Sequence, residues 1–186
     1  MSAMTATGHP TTRAAASRPG RAAVPRVVVM GVAGCGKSTV GSTLARLLGV
    51  PFLDSDALHP PANVARMSRG VPLTDDERAP WLAAVGAEIA AAPDGLVVAC
   101  SALRRRYRDA LRTAAPGTVF VHLTGTRDLL AARMTARLDR FMPPALLDSQ
   151  LATLEPLETD ERGWSLSVTW PPDELAASAA ERVLTA

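Results

Sequence analysis

Gly31-Val32-Ala33-Gly34-Cys35-Gly36-Lys37-Ser38 decides the fold of this 186-residue chain. The octapeptide satisfies G-x-x-x-x-G-K-[ST], and its setting gives the pattern weight: the short apolar run Arg26–Met30 precedes it and a helical period over Lys37–Leu48 follows. Strand, loop and helix in that order form an α/β unit that grips phosphate groups. Glycines 31, 34 and 36 let the backbone turn its N–H groups inward around phosphate oxygens, and the helix start adds its positive end. Lys37 is expected to reach β- and γ-phosphates, the Ser38 hydroxyl to ligate Mg²⁺, and Thr39 to supply a donor toward the α-phosphate. Gly31, Val32, Ala33, Gly34, Cys35, Gly36, Lys37, Ser38 and Thr39 are therefore the candidate cradle, with Cys35 read as a small loop residue rather than a nucleophile.

Outward from the loop, residues 50–53 form a second short strand, closed by Asp54, Ser55 and Asp56. Residues 61–69 read as a short helix with proline at its start, and 75–92 as a longer one interrupted by Pro80. Residues 96–100 are wholly apolar, as befits a parallel strand covered on both faces. Beyond them the pattern predicts a helix over 103–114, a strand over 118–123, helices over 127–138 and 145–154, a strand over 166–169 and a closing helix over 172–184. Five strands alternating with helices predict one α/β domain over 26–186, a parallel sheet sandwiched by helices, with a mobile segment around 134–144 beside Pro143 and Pro144.

Hydrophobic residues are 47% of the chain and charged residues 20%, the composition of a globular domain rather than a disordered or collagen-like one. The net charge of +2 is unevenly placed. Arg13, Arg18, Arg21 and Arg26 lie in a stretch without acidic residues, leaving 16 basic against 18 acidic groups and a net of −2 in the remaining 160 residues. The body is thus no basic surface for nucleic acid. Trp81, Trp164 and Trp170 form no stacking array for bases. Residues 1–25, rich in Ala, Thr, Ser, Pro and Arg, lack the apolar run of a signal peptide; they read as a disordered leader, with a transit segment as the alternative. Nothing later approaches a membrane span. Cys35 and Cys100 lie inside motifs, which argues against a disulfide framework and fits a reducing cytoplasm.

What separates a kinase from a motor or a switch is the acceptor side. Asp54 and Asp56 fall just beyond the second strand, at the carboxyl edge where open α/β sheets bind ligands. Asp56 is the candidate to accept or orient the proton of an attacking hydroxyl and to hold a magnesium-bound water; Asp54 either shares the second task or caps the next turn. His59 stands alone before two prolines and is no evidence for zinc. Arg104, Arg105, Arg106 and Arg108 follow the third strand at the same edge, where one or two guanidinium groups on the inner helix face suit a carboxylate or phosphate acceptor. Arg133 and Arg137, spaced i, i+4, share a helix face and are candidates to close over a transferring phosphoryl group and exclude water.

At this point the chain resembles the small P-loop gluconate kinases, relatives of shikimate kinase within the nucleoside-monophosphate-kinase-like P-loop group. The likeness runs from about residue 26 to 184 and rests on MGVAGCGKST, FLDSDALHPPANVARMSRGVPLTDDERAPWL, CSALRRRYRD and RFMPPALLDSQLATLE. The resemblance implies transfer of the γ-phosphoryl of ATP, with Mg²⁺, to the 6-hydroxyl of D-gluconate, feeding the pentose phosphate or Entner–Doudoroff routes, in a cytoplasmic homodimer with a small lid. Residue by residue, Gly31 to Thr39 match the ATP phosphate loop, with Lys37 in the catalytic set. Asp56 matches the acidic residue beside the sugar-acid hydroxyl and the magnesium shell, with Ser38 as the direct metal ligand. His59 matches a histidine of the acceptor pocket, Arg66 falls where a basic residue is usual, and Arg104 stands where lysine is common. Arg108 matches the arginine of Tyr-Arg-Asp, expected to grip the gluconate carboxylate. Arg133 and Arg137 match lid-side basic positions, Arg133 toward the nucleotide and Arg137 toward the reacting phosphoryl. One departure is Arg140-Phe141-Met142, where relatives carry His-Phe.

Strand three ends in Cys100-Ser101, without the acidic residue that often follows a P-loop strand, so magnesium is expected to rely on Ser38 with Asp54 or Asp56 acting through water. Two rival readings stay open on the sequence: a kinase for another small acid or a nucleotide acceptor, and a nucleotide-binding regulator without useful transfer.

Overall fold

The computed structural model describes residues 25–136 and 144–185. Five strands, β1 (Arg26–Met30), β2 (Phe52–Asp54), β3 (Leu96–Ala99), β4 (Val119–Thr124) and β5 (Gly163–Ser167), form one sheet in the order β2-β3-β1-β4-β5. Every neighbouring pair is parallel. Among the described residues seven α-helices flank the sheet: α1 (Lys37–Leu48), α2 (Pro61–Met67), α3 (Asp75–Ala91), α4 (Arg105–Ala114), α5 (Arg127–Thr135), α6 (Pro144–Thr153) and α7 (Pro172–Thr185).

The alternation along β1 divides the core into two layers. Val27 and Val29 face one side, packed with Val40 and Leu44 of α1, Leu130 of α5 and Leu175, Ala176 and Ala179 of α7. Val28 and Met30 face the other, against Trp81, Val85 and Ile89 of α3 and Tyr107 and Leu111 of α4. A strand buried on both faces must be apolar throughout, and each fully buried aliphatic or aromatic side chain here contributes about 1.5–3 kcal/mol. The strand order reverses between β1 and its neighbours β3 and β4, so the crevice for a ligand opens at the carboxyl end of β1, where the glycine loop lies.

Several elements differ from the pattern-based expectation. α3 is not interrupted at Pro80 but runs through it. The proline's missing N–H costs only one bond near an exposed helix start. A capping box between Thr74 and Glu77 and the burial of Trp81, Leu82, Val85 and Ile89 offset it. β5 lies three residues earlier than 166–169, because its ladder to β4 pairs Phe120 with Gly163 and Thr124 with Ser167. Gly163 makes that register possible: a Cβ there would meet the Phe120 carbonyl oxygen at 2.2 Å. β2 is shifted to Phe52–Asp54, which carries Asp54 into the strand end itself. The proposed leader and residues 137–143 of the proposed mobile segment, with Arg137 and Arg140, lie outside the described residues. Residues 134–136 close α5 and Pro144 opens α6.

Candidate active site

The phosphate loop leaves β1 through Gly31, whose N–H donates to the Ser101 carbonyl at 3.4 Å. Gly31 has φ of +140°, and a Cβ there would sit 2.7 Å from the Leu123 carbonyl oxygen, so only glycine lets the chain turn between β3 and β4. Cys35 is buried in the loop's inner wall, which fits a small loop residue. Its counterpart Cys100 at the end of β3 is also buried and free, and burial pushes its thiol up to about 11. Neither is placed as a nucleophile.

α1 begins at Lys37. The Lys37 ammonium donates to the Val32 carbonyl at 3.1 Å, folded over its own loop. Ser38 Oγ donates to Asp54 Oδ2 at 2.7 Å. The other oxygen of Asp54 accepts from the Asp56 amide at 3.1 Å and caps the 3₁₀ turn over Ser55–Leu58. Asp54 therefore caps the turn, and it is Asp54 rather than Asp56 that bonds the Ser38 hydroxyl. Asp56 is exposed in the first turn after the cap. Thr39 is exposed in the first turn of α1.

His59 stacks on Trp81, ring centroids 4.3 Å apart and planes 10° from parallel, and Trp81 Nε1 donates to the Ser55 carbonyl at 2.7 Å. Burial pulls the imidazole below its usual pKa; the Asp56 carboxylate opposes this and the Arg78 guanidinium reinforces it. Asp56, His59 and Arg78 thus share one electrostatic neighbourhood at the carboxyl edge.

Beside it lies a cavity of about 290 Å³ between the start of α3, the start of α4 and α6. Arg78, Arg104, Tyr107 and Gln150 give it a polar, cationic lining. Asp75 organises the wall: it accepts from Arg106 and the Tyr107 hydroxyl, and Arg104 Nη1 stands 3.5 Å from its Oδ2. The Tyr107 bond first, then the Arg106 and Arg104 charges, hold the Asp75 carboxyl below its usual range. Arg78 stands over the Tyr107 ring at 5.9 Å, and among the described residues no carboxylate forms an ion pair with it.

The structure corrects one expectation outright. Arg108 does not face the cavity. It is fully buried, with Nε and Nη2 on the two Glu161 oxygens at 2.7 and 2.6 Å and Nη1 and Nη2 on the carbonyls of Ala102, Leu103, Glu155 and Pro156. All its donors are spent within the protein, so none remains for a substrate carboxylate. What Arg108 does is hold the turn after β3, where Ala102 adopts φ of 42°, the one positive φ outside glycine among the described residues. Glu161 also accepts from Arg112 at 2.7 Å. Burial works against its ionisation, but the bonds from Arg108, the Glu158 backbone and Arg112 bring it down to about 2.

Arg66 is occupied elsewhere, bonding the Pro72 carbonyl at 3.4 Å and pairing with Glu77 at 3.4 Å, at the corner between α2 and α3 rather than on the cavity. Arg133 bonds the Val168 carbonyl at 2.7 Å beside the loop after β5. The arginines that line the cavity are Arg104 and Arg78, the latter within the stretch TDDERAPWL at the start of α3. Gln150 also lines it, and its Oε1 accepts from the Ala33 amide of the phosphate loop at 2.7 Å. An uncharged residue mid-helix carries no signal of its own in a single sequence.

The parallel sheet and the glycine loop, with a separate cationic cavity beside them, define a P-loop phosphotransferase of the nucleoside-monophosphate-kinase-like class. Comparison with known proteins agrees. The shikimate kinase family profile matches residues 33–162. A gluconokinase from Gluconobacter oxydans is 51% identical over 138 residues, 73% of this chain and 78% of that protein. The crystal structure of a gluconokinase from Sinorhizobium meliloti superposes with a TM-score of 0.82 at 47% identity, covering 89% of this chain and 94% of that one. A shikimate kinase from Acinetobacter baumannii, at 21% identity and a TM-score of 0.61, shares the fold. The chain belongs to the family of small P-loop kinases that contains the gluconokinases and the shikimate kinases.

Proposed function

We propose that this protein transfers the γ-phosphoryl group of ATP to the 6-hydroxyl of D-gluconate, giving 6-phospho-D-gluconate and ADP. The observation that carries the reading is the juxtaposition of a phosphate loop with a separate cationic cavity lined by Arg78 and Arg104, joined through Gln150. Guanidinium groups beside tyrosine and amide donors suit a small acid bearing hydroxyls. The relatives named gluconokinase, at 51% and 47% identity, supply the acceptor's identity.

In this mechanism ATP lies along residues 31–39, and Lys37 leaves the Val32 carbonyl for the β- and γ-phosphates. Asp56 accepts or orients the proton of the attacking hydroxyl, and Arg104 with Arg78 holds the acid. Arg133 and Arg137 close on the nucleotide side, which keeps water from taking the phosphoryl group. Catalysis comes from alignment and charge stabilisation, without a covalent intermediate. The Ser38–Asp54 pair fits magnesium, which keeps several waters and takes only one or two protein oxygens. The described residues hold no cluster of three His, Cys, Asp or Glu that would favour a drier cation site. When bound, magnesium neutralises charge on the β- and γ-phosphate oxygens. A homodimer in the cytoplasm is the setting we propose. It accords with the resemblance, and no described helix is long and apolar enough to cross a membrane.

The experiment is ADP release from MgATP with D-gluconate, shikimate, glucose or AMP, each corrected for the rate without acceptor. Release with gluconate alone supports the assignment. Release with another acceptor transfers the reading to that acceptor, and release with none makes the chain a nucleotide-binding regulator.

A further inference from the structure

Gln150 stands where two sites meet. Its Oε1 lies 2.7 Å from the Ala33 nitrogen, in the first half of the phosphate loop, and the same side chain lines the cavity that contains Arg78, Arg104 and Tyr107. Among the described residues it is the only cavity-lining side chain hydrogen-bonded to that loop. A backbone N–H can only donate, so the amide end turned toward Ala33 is the oxygen, and the two Nε2 donors form the other end of the group. No described protein acceptor takes them.

The placement is built into the fold. Leu147, one turn earlier on α6, is buried in the core. Arg127 of α5 grips Asp148 with Nε and Nη2 at 2.7 and 3.0 Å. Beyond the helix, the Glu155 amide donates to the Leu103 carbonyl at 2.8 Å and the Glu155 carboxylate accepts from the Arg105 amide at 2.6 Å. Mid-helix Asp148 is thus tied to α5, and the segment after α6 to the turn after β3. Gln150 is thereby held between the two substrates' sites.

We propose that Gln150 is an acceptor-specificity residue: anchored to the phosphate loop through Ala33, it donates from Nε2 to one hydroxyl oxygen of the sugar acid. This rests on the gluconate reading above and adds the residue that registers the acid against the loop carrying the γ-phosphoryl group. A site that hydrogen-bonds a substrate hydroxyl discriminates against the analogue lacking it, because the protein donor is then left unpaired.

The test compares the parent protein with Gln150→Met, which keeps length and packing but has no amide, and Gln150→Glu, which keeps an acceptor for Ala33 while losing the donor. Each is assayed for KM and kcat with D-gluconate and with its mono-deoxy derivatives, ATP affinity is measured separately by fluorescent-nucleotide titration, and folding by thermal melting. The expected result is a KM for gluconate raised about tenfold or more in both variants. ATP affinity stays within about threefold, and discrimination against one particular deoxy-gluconate collapses toward unity. Unchanged gluconate KM and unchanged discrimination in Gln150→Glu overturn the proposal. So does an equal loss across every deoxy analogue together with ATP affinity, which marks a strut for the loop. A parent protein without gluconate-dependent ADP release removes the functional reading instead.

Discussion

Ser38 Oγ donates to Asp54 Oδ2 across 2.7 Å, joining the first turn of α1 to the end of β2. In the mechanism we propose, this hydroxyl would be a magnesium ligand and this carboxylate a partner for the ion's water shell. Replacing Asp54 by Asn keeps the cap's shape and removes the charge. Outer partners of a metal site set its affinity by roughly 10–100-fold, so Asp54→Asn is expected to raise the magnesium concentration for half-maximal rate by that factor. A magnesium titration at saturating ATP checks it; an unchanged midpoint refutes the pairing's role.

Asp56 has a different expected signature. It is exposed two residues beyond the capping Asp54, and its proposed partner is the acceptor hydroxyl. Asp56→Asn is predicted to leave ATP binding largely intact while lowering kcat by about 10²–10⁴-fold, the usual contribution of a positioned proton acceptor. Near-parental turnover removes Asp56 from the reaction.

Arg108 and Glu161 form a fully buried ion pair, each carboxylate oxygen bonded by a guanidinium nitrogen. Removing one partner strands the other charge. Glu161→Ala is expected to cost about 3–5 kcal/mol of stability, read as a drop in urea midpoint. The same change should loosen the turn holding Ala102 and Leu103, so the surviving folded protein is expected to bind the acceptor more weakly while ATP affinity holds.

His122 lies on β4 in the middle of the sheet, 2% exposed, with neither ring nitrogen bonded among the described residues. Burial, reinforced by the Arg108 charge, lowers its pKa from 6.5 to about 4. Between those values the unfolded state binds more protons than the folded one, so stability rises with pH. The contribution is fully present above pH 6.5 and is lost as pH falls toward 4, at about 1.4 kcal/mol per pH unit. His122→Leu is predicted to flatten that slope and to leave stability at pH 7 equal or higher. Urea unfolding at pH 7 and pH 5 measures both, and a slope unchanged in the variant assigns the acid sensitivity to other groups.

Sequence alone determined the nucleotide side of this protein and the order of its elements. The octapeptide over residues 31–38, the strand before it and α1 after it are contiguous, so residue type, glycine spacing and a local change of period are enough to place them, and β1 and α1 fall where the pattern sets them. Only the tertiary structure decided which residues line the cavity proposed for the acceptor, because they come from segments whose side chains are aimed by distant partners. Arg104 and Arg108 belong to one motif, yet Arg108 turns inward to Glu161, 53 residues away, while Arg104 faces the cavity with Arg78. Asp54 and Asp56 are two residues apart and equally acidic, but the strand end points one of them at Ser38. Gln150 gains its place from an amide 117 residues earlier. A helix period states that a face exists; what the face meets is set by which segments the sheet order brings together.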